Sequence, residues 1–561
     1  MAQTLRHPSM PDAPGPLSPG TLDRRGVRLV FAALMAGTFL SALDQSILST
    51  AMPTIVGELD GVHHQGWLMT AYILAIALVM PLYGKFGDLH GRRWPFLIAV
   101  TLFTAASAGA ALAESFEQLV LWRGIQGLGG GGLIMLAQAI VADVVPASDR
   151  GRYLGPLGAV FAVATVVGPL LGGLFTQHLG WRWCFWVNIP VGLITFIAAW
   201  RTLRLPSRRS STPPDRAGIA LLVVATSGIV LLTSWGTLGW TGAEGYDWTH
   251  PYLLALLVAT VGSVALFIRV EHRAADPVLP MHLFRNRTFV VTTSLAFLLG
   301  VSLFSAMTFL PTFLQMASGR GVTESGMLML PMLIGTGLMT VVSGWLMARH
   351  GRYKVFPVTG MALATASIAW LATLTSTSSM LEFGVAVFAL GSGLGLVLQT
   401  IVVAAQNAVG AHELGIATST NNYFREIGAA VGVALFATIF THRLTVRFVD
   451  RWPDGLADAS GGVASITPDT LEVVSEVDRA AITDLFARAL APAFWYLVPL
   501  LVVGVVLTCL LREVPLSDVA GLVARGEAFT DRGTAGEGAG MPGVDAVDGG
   551  PAPRDRRTLG P

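Results

Sequence analysis

Gly84-Lys85-Phe86-Gly87-Asp88-Leu89-His90-Gly91-Arg92-Arg93 lies between two apolar runs and reads Gly-x-x-x-Asp-x-x-Gly-Arg-Arg. A polar loop carrying Lys85, Asp88, Arg92 and Arg93 between such runs is costly unless it stays at a water interface. Its glycines carry no Cβ, so two helix ends can approach closely there. A degraded copy follows at Gly344-Trp345-Leu346-Met347-Ala348-Arg349-His350-Gly351-Arg352-Tyr353-Lys354. Gly, Gly and Arg keep their offsets, while Ala348 stands where Asp88 stood. The two lysines of the chain, Lys85 and Lys354, fall one in each copy. Two copies in two hydrophobic halves predict an internal duplication. The competing reading, a chance basic turn, is easier to defend for the second copy than for the first.

The flanking composition agrees with a membrane setting. The chain is 53% hydrophobic and 13% charged, against about 25% charged in soluble domains. Its net charge of +1 gives no reason to expect a nucleic-acid partner. Cys184 and Cys509 both lie in apolar runs, so neither a disulfide framework nor a metal site is expected. Runs long enough to cross about 30 Å of hydrocarbon fall near 28–50, 65–84, 94–113, 117–142, 153–176, 184–203, 217–237, 251–270, 288–314, 325–347, 355–375, 381–406, 413–440 and 491–512. The predicted fold is therefore all-α and integral to the membrane, with fourteen transmembrane helices. It divides into a disordered tail (1–26), a six-helix bundle (27–205), two inserted helices (206–275), a second six-helix bundle (276–512) and a disordered tail (513–561). Residues 441–490 read as a long outer loop, in which Val473, Val477, Ile482, Leu485 and Phe486 predict an amphipathic helix on the membrane surface.

Basic residues set the orientation. With the N-terminus in the cytoplasm, the inner loops hold Lys85, Arg92, Arg93, Arg150, Arg152, the cluster Arg201, Arg204, Arg208 and Arg209 beside Pro213 and Pro214, then Arg269, Arg273, Arg285, Arg287, Arg349, Arg352 and Lys354. The short outer loops hold only Arg182 and Arg320. Both termini are expected to be cytoplasmic.

Charges inside a span cost roughly 2.5–3.5 kcal/mol each and are usually functional. Asp44 in span one and Arg123 in span four sit at nearly the same depth in the outer half of the bilayer. There they can neutralise each other, or the carboxylate can take a proton. A permanent ion pair that only orients helices is the competing reading. Arg425 and Glu426 in span thirteen are adjacent, about 100° apart around a helix, so one can face a cavity and the other a helix contact. In span five, Gly168-Pro169-Leu170-Leu171-Gly172-Gly173 combines a bend with a smooth face, suited to a gating helix or to a static kink. Gln126, Gln138, Asn188, Gln399, Asn421 and Asn422 are polar groups at membrane depth that could line a cavity. Gly127 to Gly132 lies inside a span and cannot cradle phosphate in water, and no phosphate-binding loop ending in Gly-Lys-Ser/Thr is present. ATP-driven transport and membrane catalysis both lack their residues.

Taken in order, these stretches resemble the fourteen-span drug:proton antiporters of the major facilitator superfamily. Leu43 to Ile47 with Ala51 to Ile55 is similar to the span-one signature, and Gly84 to Arg93 to the cytoplasmic-loop motif. Arg123, Gln126 and Gly127 match the span-four motif, and Gly168, Pro169, Gly172 and Gly173 the span-five antiporter motif. Trp181 to Phe185 with Asn188-Ile189-Pro190 resembles the entry to span six, and Phe424 to Gly428 the span-thirteen signature. Ser46 and Ser49 depart from the Thr and Asn often found there. The resemblance implies a bacterial inner-membrane monomer that exports small hydrophobic, often cationic, compounds in exchange for protons. It implies no cofactor beyond the proton motive force and no enzyme activity. It casts Asp44 and Arg123 as proton-coupling residues and Gly84, Asp88, Gly91, Arg92 and Arg93 as a gate; Glu426, a charge within span thirteen, is the next candidate for coupling. Cavity candidates are Gln126, Asn188, Gln399, Asn421 and Arg425. A metabolite facilitator, a lipid or natural-product exporter of the same fold, and a non-transporting sensor remain as alternatives.

Overall fold

A computed structural model describes residues 24–59, 66–203, 215–234, 250–318, 322–451 and 476–516. Among them, thirteen helices are long and apolar enough to cross a membrane, and one shorter apolar helix of 17 residues lies where an eleventh span is expected. In chain order they are α1 (Arg24–Glu58), α2 (Gly66–His90), α3 (Arg93–Ala111), α4 (Phe116–Val144), α5 (Ala147–His178) and α6 (Trp183–Thr202). The inserted pair is α7 (Arg216–Ser234) and α8 (Pro251–Glu271). Then follow α9 (Arg287–Ala317), α10 (Glu324–His350), α11 (Val355–Leu371), α12 (Met380–Asn407), α13 (Leu414–Arg451) and α14 (Arg479–Leu510). Seventeen residues at about 1.5 Å each still reach across a thin hydrocarbon core.

Local chemistry sets several of the helix ends. Ser115, Asn286 and Ser379 accept backbone N–H bonds at the starts of α4, α9 and α12, filling donors the first turn leaves open. Gly91 (φ 83°) and Gly351 (φ 67°) turn the chain out of α2 and α10 in the left-handed region that glycine alone enters freely.

Three expectations change. Residues 84–90 are the last turns of α2, not a loop, and the turn itself is only Gly91 and Arg92. The helix persists because its charges find partners, as described below. The proposed loop 441–490 is helical at both ends: α13 runs to Arg451, and the helix Glu476–Leu490 supplies the first part of α14, ahead of the expected start at 491. Ile482, Leu485 and Phe486 of that helix are buried against protein, with the Phe486 ring 6.2 Å from that of Phe440 on α13. Its apolar face therefore meets the bundle, not only lipid. Finally, α1 starts at Arg24, inside the stretch read as a disordered tail, and runs eight residues past the expected end at Thr50. Residues 1–23 and 517–561 lie outside the described residues, as do Arg204, Arg208, Arg209, Pro213, Pro214, Arg320 and Val473.

The packing repeats itself across the molecule. In the first six helices α1 lies on α5, and α4 on α2 and α3; in the last six α9 lies on α13, and α12 on α10 and α11. The glycine run 127–132 is absorbed here, letting α4 close against α2 and α3. Two seams join the sets: α2 with α13, and α5 with α10. At the first seam a Cβ on Gly84 would overlap Ser419, and at the second a Cβ on Gly344 would overlap the Gly151 carbonyl. The two glycines that keep their offset in sequence thus occupy corresponding close approaches between the sets. The inserted α7 packs on both α2 and α13, bridging the first seam.

Candidate functional site

Three polar assemblies stand out. The first is a knot around Asp44, in which Asp44, Ser107, Arg123, Gln126 and Asn188 each have 0% exposure. Arg123 on α4 donates through Nη1 to Asp44 Oδ2 at 2.5 Å and to Gln126 Oε1 at 2.7 Å. Gln126 Nε2 donates to Asp44 Oδ1 at 2.7 Å and Asn188 Nδ2, from α6, to the same oxygen at 2.9 Å. Ser107 Oγ on α3 accepts from Gln126 at 2.7 Å and from Asn188 at 3.4 Å. The guanidinium lies over the Tyr72 ring of α2, 4.0 Å from its centroid, and Tyr72 and Ser41 pair at 3.3 Å. Arg123 Nη2 and Asn188 Oδ1 have no hydrogen-bond partner among the described residues. Five helices of the first set therefore hold one carboxylate. Chemically, this is a site whose charge balance changes with a single proton.

The second assembly ties the arginine-rich end together. Asp88 accepts from the backbone N–H groups of Gly415 (3.1 Å) and Ile416 (2.8 Å) at the start of α13. A carboxylate there satisfies open donors and meets the positive end of the helix dipole. Arg92 donates to Asp88 at 2.5 Å and to Asp143 on α4 at 2.8 Å. Burial works against the Arg92 cation, but Asp143 and Asp88 outweigh it and push its pKa up. Lys85 pairs with Asp276 in the segment after α8, and Thr226 of α7 meets Tyr423 of α13 at 2.8 Å. Arg93 departs from the group: it bonds the Trp200 carbonyl at 3.2 Å and lies over the Trp94 and Trp200 rings. In the degraded copy, Tyr353 and Lys354 instead hold the end of α14, through the carbonyls of Arg512 and Cys509. The N-cap of α5, where the duplication would place an answering carboxylate, has no side-chain cap.

The third is a cavity between the sets, holding about 700 Å³ of atom-free space, part of it open to solvent. Its wall includes Thr38, Gln138, Phe161, Met307, Gln399 and Arg425, contributed by α1, α4, α5, α9, α12 and α13. Gln138 accepts from Asn422 at 2.6 Å across the two sets. Arg425 Nη2 bonds Glu426 at 3.1 Å.

The expected cavity residues are thereby sorted. Gln399 and Arg425 line the cavity; Gln126 and Asn188 do not, because Asp44 claims their amides. Asn421 is buried and bonds the Thr292 carbonyl at 3.1 Å. Glu426 sits behind Arg425, not on the wall, and takes no part in the Asp44 knot's hydrogen bonds. Of the span-five motif, Gly168 and Gly172 press on α1, where Thr50 donates to the Pro169 carbonyl at 3.1 Å, whereas Gly173 faces open space. Sequence reasoning missed Ser107, Tyr72, Asp143 and Asp276. Asp143 gave a usable signal, being an acidic residue one position past the expected end of span four.

A family model, the Major Facilitator Superfamily, matches residues 34–433. The chain is 37% identical over 523 residues to an uncharacterised MFS-type transporter of Mycobacterium tuberculosis, covering 93% of this chain and 73% of that one. It is 31% identical over 514 residues to the multidrug transporter protein MdtP of Bacillus subtilis, covering 87% and 94%. Among solved structures, the human organic anion transporter MFSD10 aligns with a TM-score of 0.58 at 15% identity, over 86% of this chain and 99% of that one, which bears on the fold alone.

Proposed function

The chain belongs to the Major Facilitator Superfamily and is a multi-pass membrane transporter, and we propose that it expels small hydrophobic compounds from a bacterial cell in exchange for protons, with no cofactor beyond the proton gradient. The observation that carries this reading is the Asp44 knot. A fully buried carboxylate is held by a cation and two amides of its own helix set. Protonation discharges it, converting charge-assisted bonds into weaker neutral ones and leaving Arg123 without its counter-ion. Asp44 and the cavity residue Thr38 lie six positions apart on α1, about 9 Å along the axis. A shift of α1 is therefore felt at both places, and Gly168 and Gly172 of α5 are the surface against which it would slide.

The arginine-rich end is placed in the cytoplasm on the positive-inside rule. The seams Gly84–α13 and Gly344–Gly151, and the Asp88 cap, all lie at that end, so the arrangement described is read as closed inward. Alternating access then requires the Asp88 cap to open. The relative named as a multidrug transporter supports the substrate side of the reading. The test is Asp44→Asn in everted vesicles: substrate binding and downhill exchange are expected to persist, and uphill transport under a proton gradient to vanish. Uphill transport by that variant would move the coupling site elsewhere, with Glu426 the next candidate.

A further inference from the structure

The wall of the central cavity carries one charge. Among the described residues lining it, Arg425 is the single ionised side chain, and no aspartate or glutamate faces the space. The two nearby carboxylates are withdrawn: Asp44 has 0% exposure inside its knot, and Glu426 is 5% exposed and bonded to Arg425. The hydrogen bond from Arg425 to Glu426 uses one of the five N–H donors of the guanidinium. On the same wall, Thr38 and Gln399 are each 4% exposed, and Thr38 Oγ1 has no hydrogen-bond partner among the described residues. The rest of the wall is mainly apolar, including the rings of Phe161 and Phe304.

We propose that this cavity selects amphipathic organic anions, an aromatic or branched apolar body bearing a carboxylate or phenolate, and rejects organic cations. The inference rests on the export reading above and names its substrate class. An anion would meet the guanidinium through charge-assisted bonds, about twice as strong as neutral ones, with the Thr38 hydroxyl as a further donor. A cation would meet like charge with no carboxylate on the wall. Its remaining attraction, to phenylalanine faces, is the weaker kind of cation–π contact. The resemblance's leaning toward cationic compounds thus finds no acidic side chain in this cavity.

The test uses purified full-length protein and three probes with one scaffold: pyrenebutanoate, its methyl ester and the matching pyrenebutyl-trimethylammonium ion. Wild type is expected to bind the anion about tenfold or more tightly than the cation, a difference of about 1.4 kcal/mol. Arg425→Gln should erase the preference and Arg425→Lys should keep part of it. Glu426→Gln, which frees the guanidinium, should sharpen it. Equal or tighter binding of the cation by wild type overturns the proposal whether or not the Arg425 variants fold, as does a preference unchanged in Arg425→Gln. Proteoliposomes with an imposed proton gradient separate the two readings. Uphill movement of the cation alone overturns the anion proposal and leaves proton-driven export standing. Uphill movement of none of the three, with the anion still bound, counts against export itself.

Discussion

Asp44 holds a fully buried charge only because every bond it makes is to a group that is itself buried and fixed. Gln126 is central to this, donating to Asp44 and Ser107 while accepting from Arg123. Gln126→Leu removes those bonds and leaves Oδ1 with Asn188 alone. Unmade buried hydrogen bonds cost about 1–3 kcal/mol each, so a lowered thermal-unfolding midpoint in detergent is expected, with Ser107→Ala falling less. An unchanged midpoint would mean the knot is looser than its distances imply. The pairing of Asp44 with Arg123 was legible in the sequence, since two opposite charges at matched depth have few other partners. α1 continues beyond the expected span to Glu58, where Trp181 (2.9 Å) and Arg182 (2.6 Å) bond its carboxylate. Hydrogen bonding to Arg182 holds the Glu58 carboxyl below the usual carboxylate range. Ser107 and Tyr72 were not legible, because a serine or tyrosine in an apolar run has many equally good uses.

Between elements, α1 against α5 is the contact where a small change in side-chain size is most informative. A Cβ at Gly172 would overlap the Ile47 carbonyl oxygen, a backbone atom that cannot turn aside, whereas one at Gly173 meets nothing within 4 Å. Gly172→Ala is therefore expected to lose most transport at near-normal membrane abundance, and Gly173→Ala to transport like wild type. Equal activity in both would detach the motif from the packing it makes. The spans and their order were legible because lipid demands long apolar helices with satisfied backbones. What was misjudged was continuity. Lys85 and Asp88 read as loop residues because charge is costly at a span's edge, but Arg92, four residues on, pairs with Asp88, and Asp276 and the start of α13 meet the two from positions distant in sequence. Local pattern carries no information about such partners. The same holds for Arg93, which groups with Arg92 in sequence and with two tryptophans in space.

For the molecule as a whole, the two helix sets are joined by a duplicated seam that carries a carboxylate cap on one side only, Asp88 on α13, since Ala348 has none to offer α5. Asp88→Asn keeps the shape and weakens the cap. We expect it to favour the inward-open population, read as faster labelling of a cysteine introduced at Ser419, and to slow export while leaving binding measurable. Unchanged labelling and export would remove Asp88 from the gate. The driving force sets the last expectation, and it depends on what leaves with each proton that enters. One charge crossing about 100 mV yields roughly 2.3 kcal/mol, and one pH unit about 1.4 kcal/mol. A neutral compound exchanged for one proton can then be held at a gradient of a few hundred-fold. A monovalent cation moves no net charge and reaches only about tenfold. A monovalent anion leaving as a proton enters moves two charges, giving about 6 kcal/mol and a gradient on the order of ten-thousand-fold. Clamping the membrane potential to zero in proteoliposomes at one unit of pH difference should therefore collapse the pyrenebutanoate gradient to about tenfold, a larger fall than for its methyl ester. A gradient that ignores the potential would show that anion and proton do not exchange one for one.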